Sequence, residues 1–373
     1  MKDFITKKPW DFWMFIFAII LVSMGIIMVF SASTPYAKSR FDNIYHFLTG
    51  QLFAAGIGFI AMVLLSFVNY KIYRKFHFLF LAIGLLLLVL VLVPGIGKVY
   101  SDARRWIVLG PLEFQPSEIY KLCIIIFMAA SLSNVKDKPL TFFKGFCPYI
   151  LLMVASAVLL LLQPHMSATV IILLLSLIML YIGGARIWHF LTVGIPGALI
   201  LSYIAIYTDY MSVRIRSFLD PFKYALDEGY QVVQSLYAIG SGGLLGRGLG
   251  RSMQKFLYIP EPQNDFIFAV LAEELGFVGV VVVISLFFLL VFRGVRTAIR
   301  CEDPFGRLLA IGVSSLIFIQ AALNIAVVTG SVPPTGITLP LFSSGGTGLL
   351  VFMVAIGILL NVSRHTSKGK ANT

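Results

Sequence analysis

The chain has 373 residues, 59% of them hydrophobic and 12% charged, with a net charge of +12. A soluble domain cannot hold so much apolar surface away from water, and the mean hydropathy of +0.93 excludes that class. The positive balance would suggest nucleic acid in a soluble protein. Here the Lys and Arg of cytoplasmic membrane loops account for it, and no nucleic-acid partner is expected.

Apolar runs repeatedly reach the roughly 18–20 residues needed to cross a bilayer as helix. Ten spans are expected, at 10–32, 46–68, 77–94, 116–133, 145–162, 167–183, 188–207, 266–292, 305–329 and 346–362. The first follows Lys2, Lys7 and Lys8 and ends at Ser31-Ala32-Ser33, as a signal peptide would. Its apolar run exceeds the roughly 7–15 residues of a signal peptide, so it reads as an uncleaved span. The fold class is an all-α polytopic membrane protein, one integral domain over residues 1–373. Lys71, Arg74, Lys75, Arg293, Arg296 and Arg300 then fall on one side with both termini, which the Lys/Arg rule makes cytoplasmic. Cys123, Cys147 and Cys301 imply no disulfide framework.

That topology leaves 208–265 as a long extracytoplasmic loop between the seventh and eighth spans, and such a length suggests function. Within it, 230–239 carries Gln231, Gln234 and Ser235 at helical spacing. A helix lying in the membrane interface and a plain surface helix both suit it.

The candidate chemistry lies on the same outer side. Arg104-Arg105-Trp106 offers planar guanidinium forks that fit phosphate oxygens, while Trp106 also suits an interfacial anchor. Pro116 is placed for the first turn of the fourth span. Glu118 and Lys121, three residues apart, share one face of that span. They make a structural ion pair or, since intramembrane charges face cavities, part of a site. His165 belongs to no metal-ligand box and reads as a loop residue. The glycine-rich stretch 240–251 lacks both a nucleotide P-loop ending and a dinucleotide fingerprint, so it is taken as flexible backbone that lets a bulky ligand approach. Asp265 follows Pro260 and Pro262 at the mouth of a long apolar helix. It either caps that helix or serves as a base at the membrane face. Arg247, Arg251 and Lys255 add outer positive charge that suits an anionic ligand. Glu273 lies about 80° around the helix from Asp265, either deeper in the same cavity or in a buried structural hydrogen bond; Glu274 lies on the opposite face. The segment 333–346 is too rich in Pro and Gly for helix, and its Thr335, Thr338, Ser343 and Ser344 suit either a structural loop or sugar hydroxyls.

Taken in order, several motifs resemble the SEDS family of FtsW, RodA and SpoVE. They are Arg104-Arg105-Trp106-Ile107, Gln115-Pro116-Ser117-Glu118 with Lys121, Gln234-Ser235-Leu236-Tyr237-Ala238, the stretches 246–255 and 258–269, Glu273-Glu274-Leu275-Gly276 and Thr335-Gly336-Ile337-Thr338-Leu339-Pro340. Pro-Glu-Pro-Gln before Asp265 is closer to the division and sporulation branch than to RodA. The resemblance implies a peptidoglycan glycosyltransferase of the bacterial cytoplasmic membrane. Such an enzyme polymerises lipid II on the outer face beside a class B penicillin-binding protein. It implies Asp265 as catalytic acid–base, Glu118 and Lys121 as intramembrane functional residues, and a divalent cation, magnesium or manganese, with no ligands legible in the sequence. With the residue reading it makes Arg104, Arg105, Lys255 and Ser343 further candidates for substrate binding. The family usually has Asp where this chain has His165, and Leu-Ser-Tyr-Gly-Gly where it reads Phe342-Ser343-Ser344-Gly345-Gly346; family roles at His165 and Ser344 are not carried over. The alternatives are a lipid II flippase and an elongation-type polymerase of the RodA kind.

Overall fold

The computed structural model describes residues 9–100, 103–110, 112–135, 140–195, 197, 216–227, 229–256 and 258–366. Helices dominate: α1 Phe12–Phe41, α2 His46–Phe67, α3 Lys71–Lys75, α4 His77–Leu90, α5 Pro116–Asn134, α6 Phe142–Leu161, α7 Met166–Ile182, α8 Tyr230–Gly242, α9 Ile267–Arg300, α10 Pro304–Val328 and α11 Gly346–Ser363. Seven of these are long and apolar enough to cross a membrane; α4 and α7 are apolar but shorter. The expected span 188–207 begins as a helical stretch over 187–195, and most of its remainder lies outside the described residues. The expectation of ten spans thus becomes seven helices of spanning length among the described residues.

Local chemistry sets several ends. Asp11 caps α1 by accepting from the Met14 N–H at 3.1 Å, and its carboxylate also accepts from Arg293 Nε at 2.9 Å, which ties α1 to α9. Pro116 occupies the first turn of α5 and Pro304 that of α10, where a missing N–H costs nothing. Asp303 caps α10 by accepting from Gly306 N. α2 and α11 pack closely: a side chain at Gly357 would meet the backbone of Met62 at 2.6 Å.

The all-α expectation needs one correction. Between α4 and α5 the chain forms a three-stranded antiparallel sheet, β1 Gly97–Tyr100, β2 Ala103–Leu109 and β3 Leu112–Phe114. Ile107 pairs with Gly97 on one side and Phe114 on the other. β2 places Arg104, Arg105 and Trp106 on a rigid strand.

The segment 208–265, expected as a long loop with a helix in it, is largely packed structure where it is described. α8 lies against α9 and α10, burying Val232, Val233, Ser235 and Ala238, and Ser235 Oγ donates to the Val328 carbonyl at 2.6 Å. It is neither a lone surface helix nor one resting only on lipid. Beyond it, the glycine-rich stretch repairs a break in α9. Gly276 adopts φ 64°, ψ −167°, and interrupts the helical ladder. The freed carbonyls of Glu273 and Glu274 accept from Arg247 N and Gly248 N, each at 3.0 Å. The freed N–H groups of Phe277 and Val278 donate to the carbonyls of Gly243 and Leu244. The flexible ligand-approach reading of 240–251 is therefore corrected: its glycines allow backbone to meet backbone. A Cβ at Gly246 would lie 2.2 Å from the Glu274 carbonyl oxygen.

Glu273 and Glu274 finish this knot. Glu273 accepts from Met253 N at 3.0 Å and from Ser252 Oγ at 2.5 Å. Glu274 accepts from Lys255 Nζ at 2.9 Å and from Ser31 Oγ at 2.7 Å. Both carboxylates are fully buried.

Gly276→Ala should lower the melting temperature in detergent, with a cost of about 2 kcal/mol or more, because the residue is left-handed and its new Cβ would meet Gly246 N at 2.2 Å. Gly56→Ala, which meets nothing within 4 Å, should stay within about 0.5 kcal/mol of the parent.

Candidate functional site

A polar concavity of about 510 Å³ is built from pieces distant in sequence. β2 contributes Arg105 and Trp106; the start of α5 contributes Gln115, Glu118 and Lys121; α8 contributes Gln231 and α10 Gln320. The loop ahead of α9 contributes Pro260 and Asp265, and the strap 333–345 contributes Gly336, Ile337 and Thr338. A second concavity of about 480 Å³ is lined by Tyr230, Asp227, Met166 and Thr335, and shares Arg105, Gln231, Pro260, Asp265 and Gly336 with the first. Asp265 thus stands on the wall common to both.

Asp265 does not cap α9; the helix begins two residues later, and Phe266 holds the cap position. Among the described residues it makes no ion pair. Its carboxylate is partly exposed to the cavities, and Gly336, at φ 68°, leaves room beside it: a Cβ there would sit 3.6 Å from Asp265 Oδ2. Burial pushes the Asp265 carboxyl up to about 6, Glu261 adds to the rise, and hydrogen bonding from its own backbone opposes it.

Glu118 and Lys121 form the ion pair their spacing allows, at 2.7 Å and buried. The ammonium also donates to Gln320 Oε1 at 2.6 Å and lies over the Phe352 ring, 5.7 Å from its centroid. Among the described residues Glu118 Oε2 has no hydrogen-bond partner. Arg105 reaches the cavity while donating to the carbonyls of Gln163 and Pro164. His165 is buried in the same wall, not on an open loop; burial, then the nearby charges of Arg105 and Lys121, lower its pKa to about 3, so it is neutral.

Three sequence candidates lie apart from this group. Arg104 does not line either concavity and turns to the Leu92 carbonyl. Lys255 is buried against Glu274, because the Gly276 break brings the loop onto α9; it is a structural cation there, not part of the cavity wall. Ser343 accepts from Leu339 N at 2.7 Å and lines a separate void of about 60 Å³ beside Trp106 and Glu118. Glu273, open as a deeper cavity residue, is bound in the structural knot instead.

Two residues of the site escaped the sequence reading. Gln320 and Asn324 are uncharged amides in the apolar run of α10. Asn324 Nδ2 donates to the carbonyls of Asp265 at 2.7 Å and Ile337 at 2.5 Å. The one available signal was their i, i+4 spacing on a helix otherwise apolar.

The fold and this cavity define a polytopic membrane protein with an ionisable carboxylate between two polar concavities. Residues 11–368 match the family described as cell cycle protein (FtsW, RodA, SpoVE), and the chain belongs to it. It is 42% identical over 362 residues to stage V sporulation protein E of Bacillus subtilis, covering 97% of this chain and 99% of that one. It is 42% identical over 357 residues to the probable peptidoglycan glycosyltransferase FtsW of Geobacter sp. strain M18, covering 95% and 97%. Among solved structures it is similar to the rod shape determining protein RodA of Thermus thermophilus, with TM-score 0.71, 28% identity and coverage of 96% and 98%. It is also similar to a chain from a peptidoglycan synthase complex that coordinates polymerization and crosslinking, with TM-score 0.79, 30% identity and coverage of 95% and 98%.

Two outcomes test the electrostatics. The raised Asp265 pKa means that the folded state holds this proton more tightly than the unfolded chain. Its contribution to stability is present below pH 3.8 and lost as pH rises through about 6. Asp265→Asn should therefore melt above the parent at pH 7.5 and level with it near pH 4, by thermal shift in detergent. Lys121→Met should destabilise by about 3–5 kcal/mol by leaving Glu118 buried and unpaired, and adding Glu118→Gln should recover most of that loss in the same assay.

Proposed function

We infer that this chain is a peptidoglycan glycosyltransferase that joins lipid II sugars into β-1,4 glycan strands. The supporting observation is the carboxylate of Asp265 on the shared wall of two polar concavities. A polymerase must hold two sugars, donor and acceptor, on either side of one base. The 510 Å³ concavity, with Arg105 and Lys121, suits the donor pyrophosphate; the 480 Å³ concavity, with Tyr230 and Thr335, suits the acceptor sugar.

In the reaction, ionised Asp265 takes the proton of the acceptor 4-hydroxyl. The oxygen attacks the anomeric carbon of the donor from the face opposite the leaving group. The bond to undecaprenyl pyrophosphate breaks and its electron pair stays on the pyrophosphate, inverting α to β. Arg105 and the Lys121 charge stabilise that leaving group. A base with a pKa near 6 is ionised at neutral pH and still binds a proton usefully. Lys255, Arg104 and Ser343 have no direct part in this scheme.

Among the described residues no group of three or more His, Cys, Asp or Glu could hold a metal. A magnesium or manganese ion bound through one or two carboxylates and substrate phosphates needs no such cage. Glu118, whose Oε2 has no hydrogen-bond partner among the described residues, fits that role, and the ion would neutralise charge on the leaving pyrophosphate. We place the protein in the bacterial cytoplasmic membrane with both termini inside and the cavities on the outer face. Its partner is a class B penicillin-binding protein, in keeping with the synthase complex to which the fold is similar. The process served is division or sporulation, in keeping with the FtsW and sporulation relatives.

Asp265→Asn should lower polymerisation of purified lipid II by about 10²–10⁴-fold while the protein stays folded. The rate of the parent should fall as pH drops through about 6. Strand synthesis by the variant at the parental rate would reject the base. Transfer of labelled lipid II across liposomes without any polymer, by parent and variant alike, would favour a flippase.

A further inference from the structure

Two neutral amides one helical turn apart on α10 tie the site together. Asn324 joins the loop ahead of α9 to the strap, through the carbonyls of Asp265 and Ile337. Gln320 joins α5 to the next residue of the strap: its Oε1 accepts from Lys121 Nζ at 2.6 Å, and its Nε2 donates to the Thr338 carbonyl at 3.2 Å and hydroxyl at 3.1 Å. Both side chains are at least 99% buried. Their orientations are forced. Asn324 faces two carbonyl oxygens, so its NH₂ must point there. Gln320 faces an ammonium on one side and a carbonyl on the other, so it can sit only one way round.

No other contact among the described side chains couples Asp265 to the Glu118–Lys121 pair so directly. The loop carrying Asp265 has Pro260 and Pro262 and no regular ladder of its own. The strap is likewise non-helical. One backbone bond joins them, from Ser344 N to the Gln263 carbonyl at 2.8 Å, and the two amides hold the stretches nearest the site. An amide suits this task because it adds no charge: an acid at 324 would repel both carbonyl oxygens, and a base at 320 would repel Lys121.

We propose that Asn324 and Gln320 are positioning residues of the glycosyl transfer, with Asn324 setting Asp265 and Gln320 setting Lys121 against a common strap. The proposal rests on the polymerase reading above. Both residues act through others, and neither needs to touch substrate. A misplacement of about 1 Å costs as much as 10²-fold in rate, so the loss belongs in kcat.

The test pairs Asn324→Leu with Gln320→Met, both close to native volume, in full-length protein. In lipid II polymerisation, each should lower kcat by roughly 10-fold or more, with KM within about 3-fold. In Asn324→Leu the acidic limb of the pH–rate profile should move below its midpoint of about 6, because the released carboxyl gains water. In Gln320→Met it should stay in place. Hydrogen exchange should quicken in the segments 259–266 and 335–338 of Asn324→Leu, a readout independent of turnover. A folded Asn324→Leu protein with parental kcat and an unmoved limb overturns the proposal, as does a loss confined to KM. If Asn324→Leu does not fold, Gln320→Met decides alone, by kcat. If Asp265→Asn proves fully active, the polymerase base fails, while the exchange result still reports whether Asn324 holds the loop.

Discussion

A main chain that leaves the helix among membrane-spanning elements must find its hydrogen-bond partners in protein, because lipid offers none. The structure meets this demand twice. At Gly276 four backbone groups are freed, and the glycine-rich stretch behind α8 supplies two donors and two acceptors to meet them. In the strap 333–345 the carbonyls of Ile337 and Thr338 find Asn324 and Gln320. The second repair borders the larger of the two concavities through Ile337 and Thr338, so there the need to satisfy irregular backbone also shapes the site; the Gly276 knot lies outside the lining of both.

The charges of the site follow a similar economy. Lys121 and Glu118 neutralise each other, and Gln320 completes the ammonium without altering the sum. Glu274 and Lys255 do the same in the knot beneath. Asp265, which lines both concavities, has no ion pair among the described residues, and burial raises its pKa. Structural acids here have cations and backbone donors; the proposed base has neither in full. That contrast separates the acids of this region better than their spacing in the sequence does.

Much of this was legible in the chain itself. Apolar runs bounded by Pro116, Asp303-Pro304 and Gly345 placed α5, α10 and α11 to within a few residues, because burial and capping act locally. The pairing of Glu118 with Lys121 followed from helical spacing. What stayed hidden depends on contacts across the fold. The strands at 97–114 are short, and their pairing is set by a turn at Gly110 and by packing, not by strong alternation. Lys255 looked like an anion-binding residue because its partner Glu274 lies 19 positions on, brought near by a helix break that one glycine makes. Gln320 and Asn324 carry no charge, and their i, i+4 spacing in an apolar helix is the one local mark they leave.

The knot around Gly276 has an evolutionary consequence. Surface connections between helices ordinarily accept added or deleted residues with little penalty. Here Gly243, Leu244, Arg247 and Gly248 bond to fixed partners on either side of one break, and Ser252 and Lys255 then reach two adjacent acids. Inserting a single residue between 243 and 255 would slide half of those bonds out of register while the other half held. Variation in length across relatives should collect before α8 and not between 243 and 255.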